Sequence, residues 1–581
     1  LIAEELYGVK FSSPYGKELQ KFLRHGMGIH HAGLLPRYRI LIEKLAQKGL
    51  LKIIFGTDTL GVGVNVPIRT VLLTKLCKYD GEKTHLLSVR DFQQISGRAG
   101  RKGFDDLGTV IVQAPEHVIE NLANERKAAG DAKKMKKLVK RKPPEKGYVP
   151  WSDETFKKLV SGQPEALVSR FKVNHAMLLN VLARPVGEMG DDGCDAMRSL
   201  IRRSHEPESA KRRIGRHAFQ LFRSLVDRKI IELNPLRVNV DLQEDFSLNH
   251  ALSLYLVDTL KLLDPLSPDY ALDALTLVES ILENPDVVLR KQLDALKTRK
   301  MQELKAQGME FDERVAELEK MEYPKPNREF IYDTFNQFSA AHPWVGQENI
   351  RPKSIAREMV ESLYSFGEYV REYELQRAEG VLLRYLSEVY KTLVQNVPGY
   401  EQSEALYDIA VSLGGMIREI DSSLIDEWER MKDPEAYAVA AAAAESEAAA
   451  EAEAVQKDVT RDRRAFRILA RNAVFRVLRD LSLGRFESVR EAVESEGAPE
   501  LAELDRAAQA YAEGHAQVLT DMKARGAAYF RVTEEPARWR VQQILVDPEG
   551  HNDWALNLEI DLAASAREAR PVLKWGGIAA L

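Results

Sequence analysis

A short apolar run leading into a glycine-rich block, echoed downstream by two arginines three residues apart, constrains this chain more than any other feature. Leu50-Leu51-Lys52-Ile53-Ile54-Phe55 reads as a buried parallel strand. Gly56-Thr57-Asp58-Thr59-Leu60-Gly61-Val62-Gly63-Val64-Asn65-Val66-Pro67 follows it. Thr57 and Asp58 therefore fall at the carboxyl end of a strand, where open α/β sheets place their ligands. The second block is Gln94-Ile95-Ser96-Gly97-Arg98-Ala99-Gly100-Arg101. On a helical turn, Arg98 and Arg101 point one way, and the adjacent glycines allow close approach. Two planar guanidinium forks aimed at one point suit a polyphosphate. The alternative is a pair of ordinary surface arginines beside a glycine-rich turn.

Residues 14–24, 36–48 and 88–101 read as helices, while 70–74 and 108–112 read as strands. This alternation over 1–115 argues for a doubly wound parallel sheet. A length of 581 residues is too great for one core and predicts three or four domains. The net charge of −5 gives no global basicity, so any nucleic-acid contact must come from local patches. Cys77 and Cys194 form neither a disulfide framework nor metal-ligand spacing, which fits a reducing cytoplasm, and no metal site is expected in this chain. No apolar run reaches the roughly 20 residues needed to span a bilayer. The chain begins at Leu1 within this α/β pattern, and we read it as the C-terminal part of a longer protein.

The two blocks, in this order and at this separation, resemble motifs V and VI of superfamily 2 helicases. Gly28-Ile29-His30-His31-Ala32-Gly33-Leu34-Leu35-Pro36 narrows the resemblance to the superkiller-like branch of RNA helicases and its bacterial relatives. It implies that residues 1–120 are the second RecA-like domain, binding ATP together with a first such domain. By the same resemblance, Thr57, His31 and Gly33 meet the nucleic-acid strand, with His31 reading equally well as a structural histidine. Gly63, Asn65 and Gln94 face the nucleotide, and Arg98 and Arg101 are the catalytic pair reaching the γ-phosphate. A Gly-x-x-x-x-Gly-Lys-[Ser/Thr] loop and an Asp-Glu-x-His block are both missing from the sequence. Phosphoryl transfer needs those parts too, so ATP and Mg²⁺ would be held mainly by the other RecA-like domain. The chain alone is not expected to hydrolyse ATP.

Residues 121–150 read as a basic linker. Within it, 126–146 hold ten Lys or Arg against Asp131 and Glu145, a solvated run or a phosphate-tracking arm. Leu159-Val160-Ser161-Gly162-Gln163-Pro164 opens a winged-helix and helical region over 151–250 by the same resemblance. In it, 197–229 pattern as helices with a basic outer face and an apolar face including Leu200, Ile201, Phe219 and Leu225. Residues 251–435 read as a helical accessory domain. There Leu289, Leu293, Leu296 and Leu304, resumed by Val315, Leu318 and Met321 after Gly308, predict a helical hairpin. Tyr332, Phe335, Phe338 and Trp344 read as core aromatics rather than base-stacking platforms. An Ala/Glu-rich linker at 436–460 precedes an α+β domain at 461–581. Its first helix is rich in arginine and could touch nucleic acid, acidic helices or nothing. Strands are expected at 526–534, 537–546, 554–562 and 572–578. The region after 250 resembles the uncharacterised domain that follows the core in bacterial members of the branch.

The expected fold is thus an α/β RecA-like domain, then a large mainly α region, then a small α+β domain. The expected function is the C-terminal part of an ATP-dependent helicase acting on single-stranded or partly duplex RNA, in the cytoplasm and away from membranes. A DNA-repair helicase and a non-catalytic nucleic-acid or partner-binding module are the alternatives.

Overall fold

The computed structural model describes residues 1–7, 9, 11, 14–57, 68–79, 83–100, 105–128, 139–144, 147–183, 193–234, 236–239, 248, 250–346, 348–432, 458–493, 498–521 and 523–581. The described chain is mostly helical with small sheets, and it divides into compact units Leu1–Arg170 and Phe171–Leu581.

In the first unit, β1 (Met27–His30) pairs in parallel with β2 (Ile53–Gly56), from Met27 opposite Ile53 to His30 opposite Gly56. The expected helices are present as Pro14–Arg24 and Pro36–Gln47. In the second, Pro36 supplies the fixed φ of a first helical turn, and Tyr38, Leu41, Ile42 and Leu45 form its buried stripe. A Cβ on Gly28 would lie 2.8 Å from a Leu51 methyl and 3.2 Å from an Ile42 methyl, so this strand position requires glycine. The expected strands at 70–74 and 108–112 are β3 (Thr70–Leu73) and β6 (Thr109–Val112), also parallel. Between them β4 (Cys77–Tyr79) and β5 (Thr84–Leu86) make an antiparallel hairpin.

Two expectations are corrected here. The strand predicted over 50–55 begins at Ile53 and is not buried: Ile53 and Phe55 are 53% and 58% exposed. Their common face is only about half covered by the described residues, because β2 pairs with β1 and its alternate side chains point away from the packed side. The helix predicted over 88–101 is Val89–Ser96, so Arg98 lies beyond its end.

In the second unit, helices His175–Leu182, Gly193–Arg203 and Glu208–Asp227 precede a hairpin of β7 (Ile231–Leu233) and β8 (Leu236–Val238). Ile201 and Leu225 are buried as expected, but Phe219 is 62% exposed and Leu200 is also exposed, so the apolar face is narrower than predicted. Helices Ser253–Leu260 and Tyr270–Ser280 are buried along nearly their whole lengths. The expected hairpin forms from Asp286–Ala306 and Phe311–Glu319, turning at Gly308, whose φ is +76°. Phe335 and Phe338 are core residues and pack edge-on against Tyr255, whereas Tyr332 is exposed.

The Ala/Glu-rich stretch falls largely outside the described residues. Beyond it, the arginine-rich helix Arg463–Ser482 is the centre of the C-terminal core, and of the three expected neighbours of its arginines the structure shows acidic helices. Phe466, Val474, Phe475, Val477 and Leu478 are buried with Trp539, Val541 and Leu558 of the sheet. Its arginines serve acidic partners: Arg471 pairs with Asp408, and Arg479 with Glu368 and Asp480. Gly414 and Gly415 permit the crowding of helix Glu404–Asp421. Their Cβ atoms would lie 2.8 Å from the Tyr390 ring and 2.6 Å from a Leu469 methyl. The four predicted strands are present as β9 (Phe530–Glu534), β10 (Arg538–Leu545), β11 (Trp554–Asp561) and β12 (Val572–Ala580), an antiparallel sheet in order β12-β11-β10-β9.

Candidate nucleotide and strand interface

The helix that carries Gln94 is tied down at its start from two directions. Ser88 Oγ accepts the Asp91 amide at 3.0 Å while the Asp91 carboxylate accepts the Ser88 amide, a reciprocal cap readable from sequence. Lys78 Nζ lies 2.9 Å from that carboxylate. Against the cost of partial desolvation, Lys78 and Ser88 hold the Asp91 carboxyl below its ordinary range. The remaining early amides, Val89 and Arg90, donate to the two carboxylate oxygens of Glu165, each at 3.0 Å. Those amides also hold the Glu165 carboxyl low.

Helix Asp153–Ser161 brings Glu165 there. Its Leu159 joins Val89, Phe92, Val71 and Leu73 in one apolar cluster, and Phe156 meets Phe92 edge-on at 6.1 Å. Gln93 Nε2 donates to the Gly162 carbonyl at 3.0 Å. A Cβ on Gly162 would sit 3.0 Å from a Val89 methyl, so glycine permits the contact. No local pattern marks this clamp, because Glu165 and the amides it accepts are 75 and 76 residues apart.

At the other end, Gly97 closes the helix and the chain turns through Arg98 and Ala99, whose amides bond back to Ile95 and Ser96. Ala99 then pairs with Ile68 beside β3, and the Gly100 amide donates to the Ile68 carbonyl at 2.8 Å. Gly100 has φ +95°, and a Cβ on Gly108 would lie 2.4 Å from the Ala99 carbonyl. The backbones cross too closely for a side chain on Gly108, and the left-handed φ of Gly100 favours glycine there. Gln94 is exposed and Arg98 half-buried, four residues apart across the helix end. Arg101, Gly63 and Asn65 lie outside the described residues.

The β1–β2 register brings the other candidates together. Since His30 opposes Gly56, His31 and Thr57 leave adjacent strands side by side at the carboxyl edge, and the Thr57 amide donates to the His30 carbonyl at 3.2 Å. His31 Nδ1 accepts the Gly33 amide at 3.0 Å, and its Nε2 lies 3.1 Å from the Tyr15 hydroxyl. Burial first, then neighbouring His30, lowers the His31 pKa. The ring is therefore neutral at pH 7, with Nδ1 as acceptor and Nε2–H as donor, and it shapes the loop through Gly33. His30 is buried and reaches Glu43 at 3.0 Å.

The donors at the helix end, a guanidinium and a side-chain amide, fit the oxygens of a polyphosphate rather than a metal ion. Residues 10–103 match the helicase conserved C-terminal domain, which defines the first part as a RecA-like helicase domain. Residues 114–578 match the family described as "Domain of unknown function (DUF3516)". That match covers most of the chain, which belongs to the DUF3516 family. The antiviral helicase SKI2 of Saccharomyces cerevisiae is 35% identical over 163 residues, 28% of this chain and 10% of that protein. The exosome RNA helicase MTR4 of Mus musculus is 34% identical over 169 residues, 29% of this chain and 13% of that protein. The ATP-dependent RNA helicase mtr4 of Schizosaccharomyces pombe is 35% identical over 169 residues, 29% of this chain and 12% of that protein. The matches thus cover only 10–13% of the length of these relatives, and with the helicase-domain match they support a C-terminal portion of a superkiller-like helicase. Among the described residues, no helix is long and apolar enough to cross a membrane.

Proposed function

We propose that this chain is the C-terminal part of an ATP-dependent RNA helicase, in which hydrolysis of ATP drives movement along the strand. The observation that carries the reading is the Gly97-Arg98-Ala99-Gly100 turn at the end of a doubly capped helix, followed in sequence by Arg101, within the segment that matches the helicase C-terminal domain. The first RecA-like domain, bearing the phosphate-cradling loop absent from this sequence, holds ATP and Mg²⁺. When bound, the metal neutralises charge on the phosphates. Arg98 and Arg101 approach the γ-phosphate from the facing side, Gln94 and Asn65 contact the nucleotide, and Gly63 leaves room for it. Thr57, His31 and Gly33 form part of the floor under the RNA backbone.

The parallel pairs β1–β2 and β3–β6 belong to one RecA-like sheet over residues 1–120. A basic linker follows over 121–150. The helices and hairpin of 151–250 form a winged-helix region, and 251–435 an accessory domain joined through 436–460 to the α+β domain at 461–581. We place the protein in the cytoplasm.

Phosphate release from ATP, measured with and without RNA, tests the reading. The 581-residue chain alone is expected to give no RNA-stimulated turnover, and the protein that also carries the P-loop domain is expected to give it. Robust turnover by the chain alone contradicts the division of labour. No turnover by either favours a non-catalytic binding module, and stimulation by DNA alone favours a repair helicase.

A further inference from the structure

The C-terminal α+β domain holds a cluster that the helicase reading does not use. His515 follows helix Leu501–Ala512, and Asp547 and His551 lie in the turn between β10 and β11. One ring nitrogen of each histidine and one carboxylate oxygen of Asp547 lie within 4.8 Å of one another. The His515 and Asp547 side chains are only 5% and 1% exposed, while His551 is exposed.

Hydrogen bonding inside the cluster is incomplete in one telling place. His515 Nε2 lies 3.1 Å from Asp553 Oδ1, which assigns the ring proton to that nitrogen. Nδ1 is then a lone-pair donor, and it is buried without a hydrogen-bond partner. Its nearest acidic neighbour, Asp547 Oδ2, is 3.8 Å away, too far for a hydrogen bond. A buried imidazole nitrogen left unmet costs free energy unless something else fills its lone pair. Tyr511 stacks on the His515 ring at 4.6 Å, so the ring is fixed in this pose. Asp547 is anchored as well: its oxygens accept the His551 amide at 3.0 Å and the Asn552 amide at 2.6 Å, each keeping a lone pair to spare.

We propose that His515 Nδ1, Asp547 and His551 bind a divalent transition-metal ion of the Zn²⁺ class. Two imidazoles and one carboxylate form a borderline donor set that suits Zn²⁺ and disfavours Mg²⁺ or Ca²⁺, which take oxygen ligands. Donors on a tetrahedral zinc stand about 3.4 Å apart, given bonds near 2.0–2.1 Å. The 3.8 Å between Nδ1 and Oδ2 therefore closes by a few tenths of an ångström on binding. Asp553 orients His515 through its other nitrogen, the usual arrangement behind a ligating histidine. The exposed side at His551 leaves a fourth position to water. The ion links the loop after helix Leu501–Ala512 to the β10–β11 turn. His515 and Asp547 are 32 positions apart, which is why no metal-ligand spacing shows in the sequence.

The test uses the chain stripped with a chelator, then dialysed against Zn²⁺ with the bound metal counted, and Co²⁺ substitution followed by visible absorption. We expect one tightly bound equivalent, the intense bands of a four-coordinate Co²⁺ ion, and a thermal transition raised by Zn²⁺. His551→Ala removes an exposed ligand without disturbing the core, and it should weaken binding at least ten-fold with an unchanged circular dichroism spectrum. Asp553→Asn, altering a positioning residue, should weaken it about 10–100-fold. Absence of a stoichiometric site in the parent chain overturns the proposal. So does parent-like affinity and Co²⁺ spectrum in His551→Ala.

Discussion

His175 is 2% exposed, with Nε2 2.9 Å from the Ser224 hydroxyl and its ring edge-on to Trp344 at 4.8 Å. Burial, then the charges of Arg228 and His217, push its pKa down to about 3 from the ordinary 6.5. Between those values the unfolded chain takes up a proton that the folded chain refuses. The contribution is therefore fully present above pH 6.5 and lost as pH falls from 6.5 toward 3. By pH 5 the loss is about 2 kcal/mol, since one pK unit is worth about 1.4 kcal/mol. Urea unfolding at pH 7 and pH 5 checks it. The parent should lose about 2 kcal/mol more than His175→Asn, and equal losses would refute the assignment. Single residues of this kind were scarcely legible in the sequence. His175 looks like any helix-starting histidine until Ser224 and Trp344 close over it, and Phe219 looked like core until the fold left it outside.

Elements were legible wherever their stabilising partners are close in sequence. The helix at 14–24 and the strands at 537–546 and 554–562 were read nearly to the residue, because periodicity and turn residues are local signals. Caps divide along the same line. Ser88, Asn174, Ser403 and Asp462 each satisfy an amide three residues ahead and announce their helices. Glu165 instead caps a helix 76 residues earlier, and Glu279 accepts the amides of Ile355, Ala356 and Arg357 at the start of a helix 77 residues later. No local pattern discloses such tertiary caps. Arginines stay ambiguous for a related reason: nucleic acid, acidic helices or no partner were all open for helix Arg463–Ser482, because Asp408, Glu368 and Glu534, which receive its guanidiniums, lie far away in sequence. The clamp on the Gln94 helix makes a prediction at this scale. Glu165→Ala should raise hydrogen exchange at Val89 and Arg90 while leaving Asp91, held by Ser88, protected. Unchanged exchange at 89 and 90 would show that water replaces the carboxylate without consequence.

Across the whole molecule, the first unit carries the helicase-domain match and the start of the family match, which runs on through the second, and the sequence disclosed them unequally. Motif spacing and the family resemblance singled out Gln94, Arg98 and Arg101 as candidates at once, because phosphate chemistry demands particular residue types. The packing of 251–581 demands only apolarity at the right period, which fixes helices without naming a task. The central claim is that the arginine pair acts on ATP held by another RecA-like domain. Arg101 tests it most directly, through RNA-stimulated ATP turnover of the protein carrying both RecA-like domains. A guanidinium acting at the departing phosphate is worth roughly 10³–10⁵ in rate. Arg101→Ala should lose most of the turnover while folding and ATP affinity stay near the parent's. Arg101→Lys should rescue little, because it keeps the charge and loses the two-pronged grip. Parent-like hydrolysis by both variants would contradict the account and leave Arg101 as a surface arginine.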